Sequence, residues 1–112
     1  MSLENTNLTT FQKKVLELTK KIPKGKVATY GLLAKLLGNE HFSRAVGNAL
    51  NKNPFPLIIP CHRVIKSNGF VGGFAKGTEI KIKLLKEENI MVNDKNYIDL
   101  KKYLVNEATL KK

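Results

Sequence analysis

Cysteine occurs once in the 112-residue chain, at Cys61, and tryptophan does not occur at all. A lone thiol excludes an intramolecular disulfide, and with only His41 and His62 beside it the chain has too few soft ligands for a zinc site. Acidic residues are scarce too, nine against 20 basic ones, which leaves a formal charge of +11. That balance points to a polyanionic partner such as nucleic acid, which lysines bind by releasing counterions. A surface merely decorated with lysine fits the charge alone equally well. Arginine is limited to Arg44 and Arg63, so a planar guanidinium has been kept at two places only. No apolar run reaches about 18 residues, and the start Met1-Ser2-Leu3-Glu4-Asn5-Thr6 lacks a signal-like stretch. The expectation is a soluble, cytoplasmic protein with no membrane partner, in a compartment that keeps a free thiol reduced. The length suits one domain.

Thr9 with Gln12 forms a capping box, and Phe11, Val15, Leu18 and Ile22 then repeat at helical spacing until Pro23. Val27-Ala28 reads as extended, and Thr29 caps a second helix over 30–37 that ends at Gly38. Ser43 is expected to cap a third helix from residue 44 to about 51, and two short helices so joined suggest a helix-turn-helix. Gly47 inside that third helix costs up to about 1 kcal/mol relative to alanine. Either close approach to a partner or tight helix packing would explain it. Pro54 and Pro56 forbid helix, and Leu57-Ile58-Ile59 reads as a short buried strand leading to Cys61. Gly72, Gly73 and Gly77 mark a loop able to close over a site, and Thr78 is expected to cap a helix through about residue 89. Tyr97, Ile98, Leu100, Tyr103 and Leu104 predict one more amphipathic helix. The fold class expected is α-rich, mainly α with short strands, a single domain with a winged helix-turn-helix. Residues 1–8 are expected to be disordered or extended, 9–90 to form the active domain, and 91–112 a helical extension.

Cys61 is either a buried apolar filler or a nucleophile. Its neighbours favour the second: Pro60 fixes the backbone, His62 is a candidate base, and Arg63 adds positive charge that favours thiolate. On the last core helix, Glu88 falls between two leucines on the inward arc, near a C-terminus whose dipole disfavours negative charge. A carboxylate there needs a partner, and His62 is the one expected. A register one residue off would instead leave Glu88 in solvent. Lys81 shares the arc, but its stem is expected to snorkel to water.

The stretch Asn53-Pro54-Phe55-Pro56-Leu57-Ile58-Ile59-Pro60-Cys61-His62-Arg63-Val64 resembles the active-site motif of the O6-alkylguanine-DNA alkyltransferase family. Thr29-Tyr30-Gly31-Leu32-Leu33-Ala34 and Ser43-Arg44-Ala45-Val46-Gly47-Asn48-Ala49-Leu50 resemble its helix-turn-helix, so the likeness covers about residues 9–90. The resemblance implies irreversible transfer of an alkyl group from O6 of a flipped guanine in double-stranded DNA to Cys61, by a monomer with no cofactor and no metal. It implies a water-bridged Glu88, His62, Cys61 network, with Asn53 bracing the turn and Tyr30 helping to protonate the leaving purine. Arg44 would fill the hole left in the base stack, from a recognition helix lying in the minor groove. Without the resemblance, Tyr30 reads as a half-buried aromatic and Arg44 as a phosphate contact. The DNA contacts expected are Thr29, Arg44, Ala45, Gly47, Asn48 and Arg63, and the base pocket Tyr30, Leu50, Cys61, Val64, Phe74 and Ala75.

Three departures stand out. Phe74-Ala75 replaces the family's usual Tyr-Ser, Leu50 stands where many members have methionine, and only about eight residues precede the first helix, where a further domain is common. Two alternatives follow. A lesion-binding, non-transferring relative that recruits excision repair would be expected to carry tryptophan in place of Cys61. A winged-helix transcription regulator would account for the charge and the helices but not for the Pro60-Cys61-His62-Arg63 turn.

Overall fold

The computed structural model describes residue 3, residues 6–74 and residues 76–111. Of the expected disordered or extended start, residues 1, 2, 4 and 5 lie outside the described residues, while Leu3 is buried in the core. Helix α1 (Thr10–Lys20) opens with the expected capping box: Thr9 Oγ1 accepts from Gln12 N–H at 3.1 Å and Gln12 Oε1 from Thr9 N–H at 3.0 Å. Its apolar face, with Val15 and Leu16 fully buried, lies on α3 (Ser43–Asn51). Between them in the chain comes α2 (Tyr30–Leu36), which also packs on α3 and is started by Thr29, whose Oγ1 accepts from Leu32 N–H at 3.0 Å.

Helices α2 and α3 form the helix-turn-helix, and their connection departs from expectation. Ser43 does not cap α3 but is its first residue, donating its hydroxyl to Glu40 O at 3.1 Å from a 3-10 turn over Glu40–Phe42. The turn is started by Asn39, whose side chain accepts from His41 N–H, and is pinned to α1 by Phe42 against Phe11, ring centroids 5.7 Å apart. Likewise α4 (Thr78–Glu87) is preceded by Gly77 at φ 103°, a conformation open to glycine, and Thr78 donates instead to Gly72 O at 3.4 Å.

Two parallel strands of two residues, β1 (Ala28–Thr29) and β2 (Val64–Ile65), pair Ala28 with Val64 and Thr29 with Ile65. The expected strand at 57–59 is absent. Leu57 sits at φ 73° and is 56% exposed and Ile58 is 65% exposed, so only Ile59 reaches the core. The flanking prolines and the side chain of Asn53 bend this stretch back on itself instead.

The stretch from residue 91 onward forms two single-turn helices, α5 (Leu100–Tyr103) and α6 (Glu107–Leu110), not one long one. Asn93 Oδ1 accepts from the N–H groups of Lys95 and Tyr97, while Asp99 and Asn106 each cap a new turn. Short polar side chains that bond nearby backbone compete with helix at every few residues here. The segment is nonetheless integral to the fold. Val27 donates to Tyr103 O at 2.9 Å and Val105 to Val27 O at 2.8 Å, so the chain covers the free edge of β1. Ile98 and Tyr103 complete a core with Ile65, Val71, Leu85 and Ile90, while Val105 and Leu110 complete the one between α1, α2 and α3. The turn bearing Cys61 connects these two halves.

Candidate active site

Pro60 lies at φ −81°, ψ 67°, and Cys61 N–H donates back to Ile59 O at 2.8 Å, an inverse γ-turn. A 3-10 turn, Cys61–Arg63, follows at once, closed by Arg63 N–H to Pro60 O at 2.9 Å. Three residues per turn set successive side chains about 120° apart, so Cys61, His62 and Arg63 leave the backbone in three directions. Asn53 braces the turn from outside: its Nδ2 donates to Ile59 O and its Oδ1 accepts from Phe55 N–H, both at 2.9 Å.

His62 points inward, 3% exposed, and its Nε2 lies 2.9 Å from Glu88 Oε2. A carboxylate only accepts, so Nε2 carries the proton and Nδ1 is left with a lone pair. Nδ1 is buried without a hydrogen-bond partner among the described residues. Burial, helped by the charges of Arg63 and Lys81, lowers the imidazole below its ordinary value against the opposing pull of Glu88, so His62 is neutral at pH 7.

Glu88 closes α4 with its side chain turned inward. Arg63 Nε donates to Oε1 at 2.9 Å and Nη2 to Oε2 at 2.8 Å, while Nη1 donates to Ile22 O at 2.7 Å. Burial alone would push the Glu88 carboxyl up, but the bonds and charges of Arg63 and His62 outweigh it and hold it below the usual range. The guanidinium is thus consumed by a carboxylate and a carbonyl. Arg63 braces Glu88; it is not presented to DNA as the sequence suggested, because its partners, 25 and 41 residues away in the chain, are invisible to local reading.

Cys61 is half-buried and lies at the floor of a slot of about 20 Å³ lined by Tyr30, Leu50, Asn51, Gly73 and Phe74. Tyr30, Asn51, Gly73 and Phe74 also line a groove of about 290 Å³ that reaches Gly47. The slot holds about one water, so a larger guest requires its walls to part. Burial, and then the charge of Cys61, raises the Tyr30 phenol, which keeps its proton. Val64, expected in the pocket, is instead sealed in β2, and Ala75 lies outside the described residues. Asn51 and Gly73 were not anticipated.

Lys81 does not snorkel. It is fully buried, with Nζ donating to Gly73 O at 3.1 Å and 5.7 Å from the centroid of the Tyr30 ring. Burial lowers it to about 8, partly offset by the charge of Cys61.

On α3, Arg44, Ala45 and Asn48 are exposed, and Arg44 borders a groove of about 500 Å³ with Tyr30, Ser43, Lys66, Ser67 and Asn68. Thr29 is not among the surface groups: its side chain is buried and spent on capping α2. A Cβ at Gly31 would lie 2.6 Å from Ser67 Oγ, so the Ser67 hydroxyl would have to swing aside. Gly47 is different, for a Cβ would meet only Tyr30 Cε1 at 4.0 Å, an ordinary contact, so helix packing does not demand glycine. Gly47→Ala is therefore expected to raise stability by about 0.5–1 kcal/mol in urea denaturation.

Residues 10–90 match the family model described as 6-O-methylguanine DNA methyltransferase, DNA binding domain. The chain belongs to this family. A methylated-DNA–protein-cysteine methyltransferase of Methanosarcina acetivorans is 54% identical over 80 residues, 71% of this chain and 51% of the relative. One from Thermococcus sibiricus is 48% identical over 91 residues, 80% and 49% respectively. The chain thus spans about half the length of these methyltransferases. Among solved structures, Mycobacterium tuberculosis OGT in complex with DNA superposes with TM-score 0.71 at 38% identity, over 74% of this chain and 51% of that one. S. pombe Atl1 in complex with damaged DNA containing O6-carboxymethylguanine superposes with TM-score 0.78 at 28% identity, over 90% and 99%. Methyltransferase-family membership accounts for the helix-turn-helix and the Cys61 turn together. No helix among the described residues is long and apolar enough to cross a membrane.

Proposed function

We propose that the protein repairs duplex DNA by moving an alkyl group from O6 of guanine to Cys61, once per molecule. The observation that carries this reading is the buried His62–Glu88–Arg63 network one residue from a half-exposed thiol, with the His62 Nδ1 lone pair uncommitted. Nδ1 takes the thiol proton through a bridging water. The sulfur attacks the alkyl carbon, the carbon–oxygen bond breaks with its electrons left on the purine, and the Tyr30 phenol donates toward the departing base. The thioether that forms is stable to every side chain present, so the molecule does not turn over. A thiol cannot reach O6 inside the stack, hence the base is flipped, and the 72–77 loop yields to admit it. The names of the Methanosarcina and Thermococcus relatives support the reading, as does Arg44, exposed on α3 beside a groove that shares Tyr30 with the Cys61 slot.

A second reading, lesion binding without transfer, draws support from the match with Atl1 in complex with damaged DNA, which covers 90% of this chain and 99% of that one. The single thiol and the absence of tryptophan favour transfer. Incubation with a duplex containing one O6-methylguanine, followed by intact mass and peptide mapping, separates the two. One added methyl on Cys61 is expected; tight, lesion-specific binding with no change of mass would establish the second reading, and no preference for the lesion would indicate a regulator.

Arg44 is assigned to filling the vacated stack. Arg44→Ala is expected to slow reaction with the duplex by a factor on the order of ten to a hundred while leaving reaction with the free alkylated base within about twofold. Equal losses on both substrates would place Arg44 outside the flipping step.

A further inference from the structure

Lys81 carries a charge that the transfer mechanism does not use. No part of its side chain reaches solvent, and no carboxylate pairs with it among the described residues. Glu88, on the same helix, is occupied by His62 and Arg63. The groups that touch the ammonium are the Gly73 carbonyl from the 72–77 loop and the Tyr30 ring from α2, and both also line the slot that holds Cys61; Cys61 and His62 lie near enough for charge on one to be felt by the other. Of these only the Cys61 sulfur can bear a negative charge near neutral pH. An ammonium buried without a counter-charge is costly.

We propose that Lys81 is a positioning residue, the counter-cation of the Cys61 thiolate, and that alkylation of Cys61 discharges it. The inference rests on Cys61 being the alkyl acceptor. While the sulfur is anionic it offsets the ammonium across the slot, and the Gly73 carbonyl, held by the same nitrogen, keeps the loop over the sulfur. When the sulfur gains carbon it becomes a neutral thioether. The electron pair of the broken bond leaves with the purine, which takes up one proton, and Lys81, its counter-charge gone, gives one up to solvent near neutrality. Spent and unspent protein thus differ by one buried ion pair, with no change in the net charge of the core.

The balance also has a sign for stability. A lysine lowered to about 8 loses the fold stability as pH falls from the ordinary lysine value through about 8, and by pH 7 nearly all of that loss is incurred. Removing the charge with Lys81→Met should therefore raise the melting temperature at pH 7 while impairing the thiol, whereas a merely structural lysine would give a lower melting temperature and an intact thiol.

The test uses the full chain without DNA, so its failure is distinct from failure of methyl transfer. Iodoacetamide, from which the thiolate displaces iodide, is followed by intact mass from pH 6 to 10. Lys81→Met is expected to react about tenfold more slowly at pH 7 and to recover at high pH; an unchanged rate profile overturns the proposal. A second measurement needs no variant. In protein labelled with [ε-13C]lysine, one resonance should titrate near 8 before carboxamidomethylation of Cys61 and at clearly lower pH afterwards. A midpoint unmoved by alkylation also overturns it.

Discussion

Cys61→Ser is expected to abolish alkyl uptake while leaving affinity for an alkylated duplex within about threefold. Serine is nearly isosteric, and the bonds that shape the turn are made by backbone N–H of Cys61 and Arg63 and by Asn53, none of which is touched. What changes is the nucleophile. A hydroxyl ionises far above the thiol range of about 8.5, and a neutral His62 cannot make up the difference. The expected fall in single-turnover rate is a factor on the order of a thousand or more, measured by intact mass after incubation with the lesion duplex. Binding is read separately by fluorescence anisotropy, with the salt concentration fixed because the basic surface makes affinity steeply salt-dependent. Uptake by the serine protein at a comparable rate would mean that the acceptor is some other side chain, and the assignment of the site would fall.

The other large effect is that of Glu88→Gln. An amide offers one acceptor oxygen where the carboxylate offers two, so it cannot serve His62 Nε2 and both Arg63 contacts together. Arg63 then keeps Ile22 O but loses its counter-charge. Breaking a buried ion pair costs about 3–5 kcal/mol, and the low end applies because 16% of the Arg63 side chain still meets water. The sign of the pH dependence follows from Glu88 lying below its ordinary value. Its contribution is fully present above the unfolded carboxyl value of about 4.3 and is lost as pH falls through the folded one. The gap in stability between wild type and variant should therefore be constant from pH 6 to 8 and close on acidification. Reactivity falls for a different reason: without the carboxylate, the imidazole is no longer held with its proton on Nε2. A loss of roughly a hundredfold is expected, the low end for a positioned base. A rate unchanged across pH 6 to 9 would remove His62 and Glu88 from proton transfer.

Local rules carried much of this protein. Thr9 with Gln12 and Thr29 with Leu32 obey capping chemistry that acts over three residues, and both ends appear where the sequence placed them. The inward turn of Glu88 followed from helical period alone. What escaped was set by distant partners or by competition among side chains. Lys81 fell on the correct arc, but whether its stem finds water depends on Tyr30 and Gly73 closing the route, 51 and eight residues away. Arg63 looked like a free cation because nothing within several residues of it is acidic. Leu57-Ile58-Ile59 has the composition of a strand, yet Asn53 and two prolines turn it outward. Past residue 91, apolar spacing said helix while Asn93, Asp99 and Asn106 spent their side chains on turns.

The family model's match ends at residue 90, a border that the physical fold does not respect. A fragment trimmed there would forfeit Ile98, Tyr103, Val105 and Leu110, hollowing both apolar centres, and would bare the Val27 backbone that Tyr103 and Val105 occupy. An unmated strand flanked by greasy cavities invites self-association. The portion that the fold needs is therefore larger than the one the family model matches, and reagents engineered from this scaffold must keep the tail.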